Sequence, residues 1–261
     1  MVKLEALLFD VDGTLADTER DGHRVAFNQA FAEAGLDWDW TVDLYGKLLA
    51  ITGGKERIRH YLDNYNREFK RPANLDEFIA GLHSAKTRHY TELLNTGAIP
   101  LRLGVERLLR SARDAGLRLA IATTTTPANV SALLTNTLGP EGESWFEVIA
   151  AGDIVPAKKP APDIYIYAME KMNLDPEQCL AFEDSENGIH ATRDSNLTTI
   201  ITTNGYTHDH DFTDAVLVLD CMGEPDAPFE VLKGDANEYA YVDIPLLEFV
   251  HQQGMKSRNV A

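Results

Sequence analysis

The sequence predicts an α/β fold: a doubly wound, Rossmann-like parallel sheet as core, with a helical cap domain inserted into it. Three observations carry this expectation. From about residue 100 onward, short apolar runs alternate with helix-like segments of about ten residues, the pattern of βαβ units whose sheet is covered on both faces. An isolated apolar run at 4–9 supplies one further strand. Between that run and residue 100 the hydrophobic spacing is helical. The insertion departs directly after the first strand, so it should lie over the sheet edge where open α/β sheets bind ligands. The expected limits are 1–16 and 92–261 for the core and 17–91 for the cap.

Taken in order, Ala6, Leu7, Leu8 and Phe9 form the apolar end of the first strand. In the insertion, Phe27, Ala30, Phe31 and Ala34 recur at i, i+3, i+4, i+7 and stop at Gly35, and Leu75, Phe78, Ile79 and Leu82 repeat that spacing. Back in the core, 104–114 reads as a helix ended by Gly116, 117–122 as a strand, and 127–137 as a helix opened by Pro127. Then come the strand "WFEVIAAGD", a helix after Pro162, the strand "CLAFED", a helix after Ser185, and the strands "LTTIIT" and "AVLVLD". Beyond about residue 222, Pro225, Pro228 and several acids precede "IPLLEFVHQQ", which reads as a loop and a final helix.

The 261 residues are 44% hydrophobic, ample for a packed core, and the net charge of −17 repels nucleic acid and anionic membranes at long range. No nucleic-acid or membrane partner is expected. The start, "MVKLEALLFD", lacks a signal-peptide layout, and no stretch approaches the roughly 18 apolar residues of a membrane span. A cytoplasmic monomer is expected; a plastid protein stripped of its transit peptide would read the same. Cys179 and Cys221 lie far apart without CxxC spacing, which favours buried thiols over a disulfide or metal pair.

Four polar segments follow the apolar strands: "DVDGT" (10–14), "TTTT" (123–126), "KKPAPD" (158–163) and "EDSENG" (183–188). Each has an ordinary reading, as an Asx turn, a β-rich run into a helix start, a solvated loop and a helix cap. Parallel strands all end on one edge, however, so the four loops converge there. Two acids across Val11 repel unless a cation or proton separates them. The set contains what phosphoryl transfer needs: a hard cation held by carboxylates, a nucleophile, a proton donor, and fixed donors around the phosphoryl group. Asp10 is assigned as nucleophile and Asp12 as acid/base. Asp184, supported by Glu183, completes an oxygen-rich Mg²⁺ site, while Lys159, Thr123 and nearby amides, Thr124 among them, receive the phosphoryl oxygens.

These four motifs resemble those of the haloacid dehalogenase superfamily of phosphohydrolases. "DVDGTLADTE", "HRVAFNQAF", "ITGGKERI", "IATTTTPANV", "KKPAPDIYIYAM" and "TNGYTHDHDF" further resemble its CbbY group, which removes phosphate from pentulose bisphosphates, notably xylulose-1,5-bisphosphate, an inhibitor of Rubisco. The resemblance implies Asp10 as nucleophile, Asp12 as acid/base, and Asp10, the Asp12 main-chain carbonyl and Asp184 as Mg²⁺ ligands. β-Phosphoglucomutase shares core and cap, so a sugar phosphomutase is one alternative; a phosphorylatable signalling domain is another.

Substrate choice is expected in the cap, with a small sugar phosphate as partner. A second phosphate needs cations away from the chemistry, and Lys55 and Arg57 supply them beside Gly53 and Gly54, unless they are solvated charges on a helix start. The same stretch is not a P-loop, because Leu49 and Glu56 stand where that loop needs Gly and a hydroxyl. Asp17, Thr18, His23 and Tyr45 are candidates for sugar hydroxyls, with structural roles as the alternative. "HDHD" (208–211) resembles a metal tract but is read as surface loop.

Overall fold

The structure, a computed structural model, describes residues 2–258. Its centre is a seven-stranded sheet of β1 (Ala6–Phe9), β2 (Arg118–Thr123), β3 (Val148–Ala151), β4 (Cys179–Glu183), β5 (Thr198–Thr202), β6 (Leu217–Leu219) and β7 (Val231–Gly234). The spatial order is β3-β2-β1-β4-β5-β6-β7, parallel except for β7, which returns antiparallel against β6. The order reverses at β1, where Phe9 pairs with Ile121 of β2 on one side and Phe182 of β4 on the other. Asp10 therefore leaves the sheet at its topological switch point, where a crevice opens.

Alternation along the strands sorts side chains by size. Leu7, Phe9, Leu119, Ile121, Leu180 and Phe182 face α5 (Val105–Asp114), α6 (Pro127–Leu138) and α9 (Ile244–Arg258) in the larger core cluster. Ala6, Leu8, Ala120, Ala122 and Ala181 face α7 (Asp163–Met172), whose Tyr165, Met169 and Met172 fill the space that the alanines leave. The helix α8 (Glu186–Asp194) follows β4. Every residue of β1, β4 and β5 is buried, as a parallel sheet covered on both faces requires.

Between β1 and α5 come a π-helical turn (Glu19–His23) and four helices, α1 (Arg24–Glu33), α2 (Val42–Leu48), α3 (Gly54–Asn64) and α4 (Leu75–Asn95). Phe27, Phe31, Trp38, Trp40, Tyr45, Ile58 and Tyr61 form an aromatic-rich core of their own, apart from the sheet. Two of these helices escape the sequence reading: α2 is only seven residues long, and α3 sets three apolar residues, Ile58, Tyr61 and Leu62, among charged ones. Residues 91 and 92 lie within α4. Its first half gives Ile79 and Leu82 to the cap cluster, while Tyr90 and Leu94 join the sheet cluster.

The tail corrects one expectation. Its supposed loop contains β7, whose four residues are exposed and too polar in context to read as a strand. The final helix α9 is docked, with Leu246, Leu247 and Val250 fully buried in the main core. Among the described residues no helix is long and apolar enough to cross a membrane. Both cysteines are free thiols.

Candidate active site

The site begins where β1 ends. The Asp10 amide donates to Phe182 O at 3.0 Å, the last rung with β4, and the chain then turns through Gly13 at φ 90°. A Cβ at Gly13 would stand 2.2 Å from Asp184 Oδ2 and 2.6 Å from Asn204 Nδ2, so the turn needs glycine for space as well as for backbone sign. Arg102 fastens the loop, donating to Gly13 O and, at 3.0 Å, to Thr202 Oγ1.

Lys159 donates to Asp10 Oδ1 at 2.6 Å and to Glu183 Oε1 at 2.5 Å; Tyr165 OH donates to the same Glu183 oxygen at 2.6 Å. All four side chains are buried. Gly188 makes room, since a Cβ there would lie 2.0 Å from Glu183 Oε2. Asp184 is held by Asn204 Nδ2 at 2.7 Å. Burial pushes the Asp10 carboxyl up to about 8, with Lys159 opposing and Glu183 and Asp12 adding to the rise. Burial, then Asp10 and Glu183, push Asp184 well up too. Burial opposes the charge on Lys159, yet Asp10 and Glu183 together raise it above its ordinary range.

Asp10, Glu183 and Asp184 each offer an oxygen within 4.8 Å of the others'. Three buried carboxylates, of which Asp10 and Asp184 resist ionisation, set around a cradle a Cβ would fill, form an all-oxygen donor set suited to a hard cation such as Mg²⁺.

Asp12 departs from the expected electrostatics. Its carboxylate turns to the cap instead of sharing a cation with Asp10: Thr18 Oγ1 donates to Oδ1 at 2.5 Å and His23 Nε2 lies 2.8 Å from the same oxygen. Lys86 Nζ donates to His23 Nδ1 at 2.7 Å, which leaves the ring proton on Nε2, pointing at Asp12. Burial works to raise the Asp12 carboxyl, but His23, Thr18 and Lys86 hold it below the usual range. Burial brings the Lys86 ammonium down to about 8.

Two lobes of about 440 and 450 Å³ share Asp12, Glu19, Gly53, Arg57 and Thr124. The first also contains Asp10, Thr123, Lys159 and Asp184; the second contains His23, Gly54, Lys55, His83, Lys86 and Lys158. Thr123 is buried and accepts from the Thr125 amide at 3.3 Å. Arg57 is buried between the cap and the cleft, donating to Tyr45 OH at 2.8 Å.

Three of the sugar-hydroxyl candidates lie outside both lobes. Asp17 is exposed outside both lobes and pairs with Arg102 Nε at 3.2 Å. Thr18 lies outside them too, its hydroxyl spent on Asp12. Tyr45 is fully buried beneath the cleft, donating to Glu19 Oε2 at 2.5 Å. His23 lines the second lobe, yet both its ring nitrogens are engaged by Asp12 and Lys86. Lys55 is paired with Asp153 at 2.6 Å. His210 of "HDHD" stands at the rim of the first lobe, its Nδ1 accepting from the Glu186 amide at 3.2 Å. Glu19, Lys86, Lys158, Tyr165, Arg102 and Asn204 went unread in the sequence; only the apolar setting of Lys86, between Ile79, Leu82 and Tyr90 on α4, signals that it is buried.

A parallel sheet that gathers buried acids and a lysine at its switch point, with a further acid two residues on and a helical cap above, is the framework of a phosphohydrolase. The chain belongs to the haloacid dehalogenase-like hydrolase family, whose model matches residues 4–196, and it is a phosphatase of the CbbY-like kind. It is 46% identical to the plasmid-encoded CbbY protein of Cupriavidus necator over 91% of this chain and 93% of that one. It is 49% identical to CbbY of Rhodobacter capsulatus, over 82% and 92%. The structure of CbbY from Rhodobacter sphaeroides with xylulose-1,5-bisphosphate, a mutant form, superposes with a TM-score of 0.77 at 46% identity, over 84% of this chain and 94% of that one. β-Phosphoglucomutase of Clostridium difficile, at 21% identity and TM-score 0.72 over 97% and 99%, shares the fold.

Proposed function

We propose that this chain is a Mg²⁺-dependent phosphatase that takes one phosphate from a pentulose bisphosphate, xylulose-1,5-bisphosphate foremost, through a phosphoryl group carried on Asp10. The observation that carries the reading is the double engagement of Asp10, ordered by Lys159 on one oxygen and standing within the acidic cluster of Glu183 and Asp184. The likeness to a CbbY protein that binds xylulose-1,5-bisphosphate supports the substrate class.

Asp10, Asp184 and the Asp12 main-chain carbonyl would hold the cation, which lets a carboxylate approach a phosphate dianion by screening their repulsion. Asp10 attacks phosphorus, the bond to the sugar oxygen breaks, and Asp12 gives that oxygen a proton. Lys159 and the Thr123 hydroxyl meet the phosphoryl oxygens, with the Thr124 amide beside them. Asp12, now ionised, takes a proton from the water that attacks the aspartyl phosphate, releasing inorganic phosphate and restoring Asp10. The chain Lys86–His23–Asp12 can reload the acid: as Lys86 gives a proton to Nδ1, Nε2 gives one to the carboxylate.

Asp10→Asn should abolish phosphate release while leaving the fold intact by circular dichroism; retention of most activity removes Asp10 as nucleophile. A release panel of xylulose-1,5-bisphosphate, ribulose-1,5-bisphosphate, glucose 1-phosphate and phosphoglycolate ranks the substrates. Glucose 6-phosphate formed from glucose 1-phosphate, in place of inorganic phosphate, would make the chain a mutase.

A further inference from the structure

The mouth of the second lobe is crossed by charges from both sides. Lys55 and Glu56 stand at the start of α3, and Asp153 and Lys158 on the segment between β3 and α7. Lys55 Nζ reaches Asp153 Oδ2 at 2.6 Å, while Lys158 Nζ lies 3.0 Å from Asp153 Oδ1 and 3.1 Å from Glu56 Oε1. Each oxygen of Asp153 thus takes one ammonium, one from the cap and one from the core. Lys158 leans over Gly53, which lines both lobes: a Cβ there would stand 2.8 Å from its Nζ. Deeper in the same lobe lie Arg57 and Lys86. Its other carboxylates, Asp12 and Glu19, are already hydrogen-bonded within the cap.

The Asp153 side chain is 60% exposed and that of Lys55 41%, and ion pairs so open to water hold weakly. A phosphate ester offers the same two ammonium groups more charge and one more oxygen than a carboxylate does. We infer that Asp153 is the resident counter-anion of a distal-phosphate subsite: the second phosphate of the substrate displaces its carboxylate and is gripped by Lys158 and Lys55 across the seam between cap and core. The inference rests on the bisphosphate reading above. It makes the non-reacting phosphate the group that ties the cap down over the reacting one. The field in the lobe agrees. Hydrogen bonds from Lys55 and Lys158 hold the Asp153 carboxyl down at about 2. Burial, then Lys86, Lys55 and Lys158, push the neighbouring His83 down to about 3, so its ring stays neutral beside them.

The test is the ratio of kcat/KM for the bisphosphate to that for the better-hydrolysed of the two pentulose monophosphates, a ratio that cancels any inactive fraction. D153N should raise it about fivefold, and K158Q and K55Q should each lower it about tenfold. A ratio unchanged in D153N and K158Q overturns the inference, as does a fall in D153N, which would mean that Asp153 organises the lysines instead of competing for them. A wild-type protein that hydrolyses neither kind of substrate sinks the bisphosphate reading and this inference together. Hydrolysis of both with an unaltered ratio sinks the inference alone.

Discussion

Lys159 stands between two buried acids, Asp10 and Glu183, and its ammonium is what allows them to lie so close. Take it away and the two carboxylates face each other with little water to help. Lys159→Met should therefore cost about 3–5 kcal/mol in urea denaturation, the range for breaking a buried ion pair by removing one partner. Its neighbours keep Lys159 charged throughout the neutral range, while Asp10, pushed up to about 8, ionises only toward the top of it, so the loss should be larger at pH 8 than at pH 6. Phosphate release should fall at least about 100-fold in the same variant, since the donor proposed for the phosphoryl oxygens goes with it. Lys159 was legible because it follows a strand and strand ends share an edge; the same held for Asp10, Thr123 and Asp184. His23 was legible as a candidate, but its partner Lys86 was not, lying 63 residues away on a helix with ordinary spacing. Tyr45 and Thr18 stayed open between sugar contact and structural role because local sequence does not say whether a polar group opens into a cleft or packs beneath it.

At the scale of elements, α9 closes the main core although it comes last in the chain. Leu247 is fully buried there, beside Leu246 and Val250, against a face that includes the large side chains of β1 and β4. Leu247→Ala should cost about 2–5 kcal/mol by thermal or urea unfolding, as for a fully buried leucine whose surroundings collapse only in part. A loss under about 0.5 kcal/mol would mean that the helix is a loosely attached appendage. The periodic elements read well: the alternating strands and helices of residues 104–219 follow the hydrophobic pattern closely. Of the elements that escaped, α2 is short, β7 faces water, and α3 opens on a glycine among charged residues, with Ile58, Tyr61 and Leu62 alone marking its apolar face. Tertiary contacts with the aromatic cap core and with the edge of β6 hold them instead.

For the whole molecule, the net charge of −17 and the buried acids at the switch point pose one problem at two ranges: anions must be brought to anions. The structure answers at short range with Lys159, Arg57, Lys86 and Lys158 around the cleft, and the acid cluster leaves a place for a divalent ion. The consequence can be read in stability. Asp10 is pushed from 3.8 to about 8 by burial, and Asp184 rises for the same reason, so between pH 4 and 8 the folded protein keeps protons that the unfolded chain has released. Without a divalent cation, these groups make stability fall as pH rises through that window. A cation binds the ionised form and so competes with those protons, which makes its stabilising effect grow with pH. His83, lowered from 6.5 to about 3, pulls the other way below pH 6.5, but it does so with or without the ion and cancels in the comparison. Asp12, lowered, changes charge only below the window, and Lys86, at about 8, changes above it. The upward shift in Tm between EDTA and about 10 mM MgCl₂ should therefore be under about 1 °C at pH 5.5 and about 4 °C or more at pH 8. Equal shifts at the two pH values would place the ion elsewhere than among Asp10, Glu183 and Asp184, and Asp184→Asn should flatten the difference if the ion sits where these acids converge.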